Sequence, residues 1–370
     1  MTTFHRNTRT SPLPDTFRTS REPIAFHEKL PLYAPTPLVE TPSVAERLGL
    51  GRVFVKDESQ RFGMPSFKLL GASWATYNGL VEALGSEPAP WSEIAELREA
   101  CAHLQPFALA AATDGNHGRA VARMAKLLDF EARIFVPTGT TAARIEAIES
   151  EGATCTIVNG DYDAAVARSA EEVSKRCLVI DDTSWPNYEM VPRAVAEGYG
   201  TIFYEIAEQM QEAPDVVFVP LGVGALGAAA TDYFKRGSRA TIVGVEPDTC
   251  ACVLASLREG RIVTVAGPHP SMMAGLNCGT PSPVAFPTLL AGLDACVAIA
   301  DSDAEEAMRT LAACGIVSGE TGAAALAGLE AMMAAGNELD LDGSTTVLVI
   351  STEGATDPEA YERIVGHLPE

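Results

Sequence analysis

The sequence is poor in the features that mark several large classes of protein. Its eight cysteines (Cys101, Cys155, Cys177, Cys250, Cys252, Cys278, Cys296 and Cys314) form no CxxC pair and do not cluster with histidine. That spacing argues against a disulfide framework and for small buried thiols in a reducing, cytoplasmic compartment. Cys250 and Cys252 supply two soft ligands without a matching second pair, so no metal is expected. Long apolar runs are missing too. The most apolar stretch, 216–230, is broken by Pro220 and three glycines and is too short to span a bilayer. Basic residues are scarce, 27 against 49 acidic, for a net charge of −22. Such a surface repels phosphate backbones and anionic lipid, so no nucleic acid and no membrane is expected as a partner. Residues 1–23 have no apolar core and hence no secretory signal; their Thr, Ser, Arg and Pro suggest a flexible or dimer-embracing arm.

What is present reads as globular: 370 residues, 47% apolar and 21% charged, enough for roughly two domains with a large core. Strand-like runs at 107–112, 132–136, 154–158 and 178–180 alternate with helical patterns at 120–128, 140–151 and 161–175. This regular alternation implies a smaller parallel α/β domain over 75–190. The remainder, 1–74 and 191–370, forms a larger, discontinuous cofactor-binding domain. It has strands at 52–56, 216–219, 241–245 and 346–350, and helices at 43–48, 195–211, 228–236, 303–313 and 321–335, while a helix at 69–84 crosses the boundary between the two domains. A Gly- and Pro-rich loop fills 266–288. The fold class is therefore α/β, two doubly wound domains with parallel-type sheets.

Four motifs follow strand-like runs: Ser66-Phe67-Lys68, TDGNHG at 113–118, GVGALG at 222–227 and STEG at 351–354. In a parallel sheet such loops present their groups at the C-terminal edge. A lysine whose stem is gripped by apolar neighbours has a partly dried amine, and desolvation makes it a nucleophile toward aldehydes. Alone that signal is weak, since a lysine opening a helix is usually just solvated. The glycine loop supports two different enzymes. As a GxGxxG fingerprint with Glu246 about 20 residues on, it argues for an NAD-dependent dehydrogenase. Alternatively, its bare amides and the helix N-terminus cradle a phosphate monoester. The second reading leads, because a dehydrogenase leaves the loops at 66–68 and 113–118 without a task.

SFKLLG, TDGNHGRAVA, DTSW, MAGLNCG and STEGATDPE together resemble the tryptophan-synthase-β group of pyridoxal-phosphate enzymes, fold type II. Within that group they are most similar to the diaminopropionate ammonia-lyase family, over about residues 30–360. Serine and threonine dehydratases of this group typically carry a serine where Asp114 stands. GVGALG is less glycine-dense than many phosphate loops of the group, and Val223 narrows it.

The resemblance implies pyridoxal 5'-phosphate as cofactor, a small amino acid as substrate, and a homodimer. Lys68, beside Phe67, then forms the Schiff base and later moves a proton, and Asn116 bonds the cofactor's 3′ oxygen. Gly222, Val223, Gly224, Ala225 and Leu226 offer amides to the phosphate. Ser351, with Thr352 as the alternative, faces the ring nitrogen. Thr113, Asp114 and His117 hold substrate, and Asp114 and Asp182 join Lys68 in catalysis. Each has a plainer competitor: Asn116 and His117 as a helix cap, Asp182 as an N-cap, Ser351 as a turn residue. Glu320, in SGETGA, receives no role. The implied reaction is α,β-elimination on L- and D-2,3-diaminopropionate, giving pyruvate and ammonia. A serine/threonine-type dehydratase is the near alternative.

Overall fold

The computed structural model describes residues 2–113 and 115–369. Among them the strands, in chain order, are β1 (Thr3–Arg6), β2 (Leu38–Glu40), β3 (Arg52–Asp57), β4 (Ala108–Ala112), β5 (Glu131–Pro137), β6 (Thr154–Val158), β7 (Cys177–Val179), β8 (Val216–Pro220), β9 (Thr241–Pro247), β10 (Ala295–Ile299) and β11 (Thr346–Ser351). They form two sheets in two compact units. One unit comprises Met1–Thr19, Pro35–Phe67 and Ile202–Glu370; the other comprises Ser20–Ala34 and Lys68–Thr201. The sequence reading drew these boundaries at 74/75 and 190/191. The helix Lys68–Leu84 instead goes whole with the smaller unit, where His27 bonds the Leu70 carbonyl (3.0 Å) and Thr201 Oγ1 (2.9 Å).

In the larger unit seven strands run in the order β1-β10-β9-β8-β11-β3-β2. The five inner strands are parallel, and β1 and β2 pair antiparallel at the edges. The inner strands lack apolar–polar alternation: VVFVP of β8 is buried throughout, and TVLVIS of β11 from its second residue on. Strands covered on both faces require such continuous runs. From β8 the chain winds outward through β9 and β10, then returns to lay β11 on the other side of β8. The order therefore reverses between β8 and β11, a topological switch point where loops at the carboxyl ends spread apart. GVGALG leaves β8 there, STEG leaves β11, and the segment leading to Ser66-Phe67 leaves neighbouring β3. Buried charges brace that last segment: Lys56 and Arg61 donate to Glu205 (2.8 and 2.6 Å), and Arg61 also to Glu58 (2.7 Å).

The smaller unit repeats the scheme with four parallel strands in the order β6-β5-β4-β7. Its switch point lies between β4 and β7. Alanine is a poor strand former, yet β4 reads ALAAA and is wholly buried, so packing overrides propensity. The helix Asn116–Leu128 lies close enough that a Cβ on Gly118 would meet Thr113 Cγ2 at 2.4 Å and Ile134 Cγ2 at 2.6 Å.

Several local expectations change. The N-terminal segment is no free arm. Residues 3–6 form β1 on β10, Asn7 buries its amide against the Leu290 and Leu293 carbonyls, and Thr19 bonds Asp232. The helix expected at 195–211 is Met190–Gln209, because Pro192 sits in its first turn, where a missing N–H costs nothing. Strand β10 and the helices Cys252–Glu259 and Pro358–Val365 are further elements that the sequence reading did not include. Among the described residues no helix is long and apolar enough to cross a membrane.

Candidate active site

In the larger unit the glycine loop opens the helix Ala225–Gly237, with Gly224 as its N-cap at φ +96°. A Cβ on Gly224 would sit 2.6 Å from Leu289 Cδ1, and one on Gly222 would sit 3.0 Å from the Gly275 carbonyl. Both positions need glycine. The first amides of a helix have no partner within it, so they and the dipole suit an anion. Glu246 removes the dinucleotide reading. Fully buried, it accepts from the amides of Val253 and Leu254, each at 2.8 Å, and from Cys296 Sγ at 3.2 Å. It caps the helix Cys252–Glu259 and has no reach to a ribose. Burial pushes its carboxyl up to about 7, against the amides that stabilise its charge.

The STEG turn separates the two candidate hydroxyls. Ser351 donates to Ser318 Oγ at 2.9 Å, whereas Thr352 Oγ1 is buried with no partner among the described residues. A neutral, unpaired hydroxyl fits a ring nitrogen, and a bare helix N-terminus fits a phosphate. These groups are therefore compatible with pyridoxal 5'-phosphate. Glu353 Oε1 accepts from the Thr321 amide at 3.1 Å, which fastens the SGETGA loop, and with it Glu320, to this turn. Phe67 is buried, and its amide bonds the Thr352 carbonyl at 3.3 Å.

In the smaller unit Lys68 is the first residue of its helix. Its Nζ donates to Asp182 Oδ2 at 2.8 Å and lies 5.9 Å from the centre of the Tyr199 ring. Tyr162, opening the helix Tyr162–Ala170, donates to Asp182 Oδ1 at 3.1 Å. Burial alone would push the Asp182 carboxyl up; the Lys68 ammonium, together with the two hydrogen bonds, outweighs it and holds the group well below the usual range. Asp182 is thus an ionised partner of Lys68. It caps no helix, since the next begins at Met190.

The TDGNHG loop yields a mixed outcome. Asp114 lies outside the described residues. Thr113 Oγ1 accepts from the amides of Gly115 and Gly118, both at 2.9 Å, and so serves as a cap for the helix that Asn116 opens. His117 Nε2 lies 2.6 Å from the Ile180 carbonyl, which can only accept, so that nitrogen carries the proton. Burial lowers the pKa of this imidazole and keeps it neutral. Its Nδ1 is then a buried acceptor without a partner among the described residues. A substrate carboxylate needs a donor, and the His117 ring, with its one proton engaged by Ile180, offers none for the substrate contact expected of it. Sequence reasoning missed Tyr162, Tyr199 and Ser318. Tyr162 was visible as part of a cap sequence, Asp161-Tyr162-Asp163, while nothing in the sequence pointed to the other two.

Loops of this kind, at the switch points of two parallel sheets, characterise α/β enzymes that use a lysine and an anion-binding helix. The chain belongs to the pyridoxal-phosphate dependent enzymes, whose family profile matches residues 29–353. It is similar to the diaminopropionate ammonia-lyase of Salmonella typhimurium, at 36% identity over 93% of this chain and 91% of that protein. Crystal structures of the Escherichia coli diaminopropionate ammonia-lyase superpose over 99% of this chain and 97% of theirs, at 32% identity. The complex with D-serine gives a TM-score of 0.90, and that with an aminoacrylate-PLP azomethine reaction intermediate gives 0.89. The architecture is thus the fold type II arrangement, and the cofactor is pyridoxal 5'-phosphate.

Proposed function

We propose that this chain is a carbon–nitrogen lyase that eliminates ammonia from 2,3-diaminopropionate, in its L and D forms. One water enters, and pyruvate and two molecules of ammonia leave. The observation that carries this reading is the ionised Asp182 carboxylate, buried and bonded to an ammonium at 2.8 Å. Diaminopropionate differs from serine by bearing an ammonium where serine has a hydroxyl. A buried carboxylate that already accepts from one ammonium suits the former, because an ion pair in a dry setting outweighs a neutral hydrogen bond.

Pyridoxal 5'-phosphate, when bound, supplies a sink for the electron pair released at Cα. The residues that would hold it are Lys68 through its Nζ, beside Phe67, the amides of Gly222, Val223, Gly224, Ala225 and Leu226, the Asn116 side chain, and the hydroxyl of Thr352 in preference to Ser351. A neutral hydroxyl at the ring nitrogen keeps that nitrogen unprotonated, which favours elimination over transamination. Lys68 Nζ takes the Cα proton of the L form. Asp114 takes it from the opposite side in the D form, and Asp182 attracts the departing ammonium. Thr113 shapes the loop that carries Asp114 and Asn116. A cytoplasmic homodimer completes this reading, in line with the sequence resemblance.

A coupled assay of pyruvate release tests it, with L- and D-diaminopropionate, L-serine and the 2-oxobutyrate from L-threonine compared side by side. The expected order of kcat/KM puts diaminopropionate first. A higher kcat/KM for serine or threonine would make the chain a dehydratase.

A further inference from the structure

The Gly- and Pro-rich stretch at 266–288 contains MAGLNCG, a motif that none of the roles above uses. In the larger unit it runs against the glycine loop. The Gly275 carbonyl comes so close to Gly222 that a Cβ there would sit 3.0 Å from it and 3.3 Å from Cys278 Sγ. Further on, the Ser282 amide donates to the Val223 carbonyl at 2.8 Å. Residues 275–282 therefore form a wall on which Gly222 and Val223 rest.

Little regular structure holds that wall up. The only helical piece at its start is the single turn Ala274–Leu276. Its stiffness comes from side chains that fasten backbone groups. Ser271 Oγ donates to Asp301 Oδ1 at 2.5 Å and accepts from the Met273 amide at 3.1 Å, while the Met272 amide donates to Asp301 Oδ2 at 3.1 Å. Asn277 Nδ2 donates to the Ser271 carbonyl at 2.7 Å, which draws the two ends of 271–277 together. The Gly275 amide donates to Thr321 Oγ1 at 3.2 Å. Met273 and Leu276 are buried in the core of the unit, so the loop is anchored by packing as well.

Asp301 is the one charged group in this set. It is the first residue of the helix Asp301–Ala313, yet the capping there is done by Asp303, whose Oδ2 accepts from the Ala300 amide at 2.9 Å. Asp301 turns both oxygens to the loop instead. Bonds to a carboxylate are shorter and stronger than those between neutral groups, so this is the firmest of the loop's polar anchors. Asp301 follows the carboxyl end of β10, and Gly222 follows that of β8, with β9 between the two strands. The sheet thus fixes both ends of the link, and residues 271–275 span it. Such bracing suits backbone amides that bind an anion, because a loop that must be ordered on binding loses affinity by doing so.

We propose that Asp301 is a positioning residue for the cofactor's phosphate: through Ser271 it holds the Gly275 carbonyl against Gly222 and so keeps the amides of 222–226 in place. The proposal rests on the reading of that glycine loop as the phosphate site.

The test separates an effect on the phosphate from a general loss of stability. Enzyme freed of its cofactor is titrated with pyridoxal 5'-phosphate and with pyridoxal, which lacks the phosphate, and binding is followed by visible absorbance. In Asp301→Asn the dissociation constant for pyridoxal 5'-phosphate should rise about 10-fold, the order of one charge-assisted hydrogen bond, and that for pyridoxal much less. Ser271→Ala breaks the same bond from the other side and should show the same selectivity, so the proposal stays testable if one variant folds poorly. The phosphorus NMR resonance of the reconstituted holoenzyme should shift in both. Gly222→Ala is the reference, because its Cβ would press on the same carbonyl. An unchanged preference for the phosphorylated form in Gly222→Ala would remove the phosphate reading of the loop, and this proposal with it. A preference lowered in Gly222→Ala alone, with Asp301→Asn and Ser271→Ala like wild type, would overturn the role of Asp301 and leave that reading standing. Equal weakening of both ligands in Asp301→Asn and Ser271→Ala would overturn it too, by showing a bond that serves stability only. None of these readouts depends on which amino acid is the substrate.

Discussion

The amide of Phe67 donates to the carbonyl of Thr352, so the residue before Lys68 is pinned to the turn that carries a buried hydroxyl without a partner among the described residues. Two more main-chain links flank it: Gly354 donates to the Pro65 carbonyl at 2.9 Å, and Ser66 bridges to Glu353. The chain thus enters the Lys68 helix from a clamped backbone. The flexible four-carbon stem of the lysine starts from a fixed point, which reduces the conformational freedom lost when its amine is bonded.

Replacing Lys68 by Ala should abolish turnover and the visible absorbance of bound cofactor together, since no other amine is expected to form the covalent link. Cofactor binding should weaken without vanishing, because the amides of the 222–226 loop remain. Borohydride reduction followed by mass spectrometry checks the point. A reducible adduct in the variant would locate the attachment elsewhere.

Asp114→Asn keeps size and most hydrogen bonding but removes a base. It should slow the D substrate by roughly 10²–10⁴-fold, the usual worth of a positioned general base, and the L substrate much less. Steady-state pyruvate production from each enantiomer measures this. Equal losses would mean that Asp114 binds substrate or shapes the loop.

Thr352→Val removes a buried hydroxyl that has no partner among the described residues. Leaving such a group unpaired costs about 1–3 kcal/mol, so the apo variant should melt at higher temperature while binding cofactor more weakly. Ser351→Ala should do the opposite to stability, losing about 0.5–1.5 kcal/mol with its bond to Ser318. Calorimetry of the apo proteins and cofactor titration distinguish the two hydroxyls.

Arg61→Met leaves Glu58 and Glu205 buried with Lys56 as the one remaining cation of that group. Breaking a buried ion pair on one side typically costs about 3–5 kcal/mol, so a loss of that order is expected in chemical denaturation. Because Arg61 lies in the segment between β3 and Lys68, turnover of the surviving folded fraction should also fall.

The motifs that follow strands were legible in the sequence because chemistry restricts their composition: glycine where Gly224 takes a positive φ, small residues where a helix meets β4, and continuous apolar runs where strands are covered twice. Those local rules were enough for the α/β class, the parallel sheets and a glycine loop that opens a helix. They failed for β1, whose four residues gain strand character only from pairing with β10, some 290 residues away. They failed again at Asp182, where a cap and an ion pair read alike until Lys68, 114 residues away, is brought to 2.8 Å. The different partners of Ser351 and Thr352 and the tautomer of His117 are likewise invisible in sequence. Each depends on which donors and acceptors meet in a dry interior. A side chain's charge and hydrogen-bonding state there belong to its neighbours as much as to its own chemistry, and only the tertiary fold selects the neighbours.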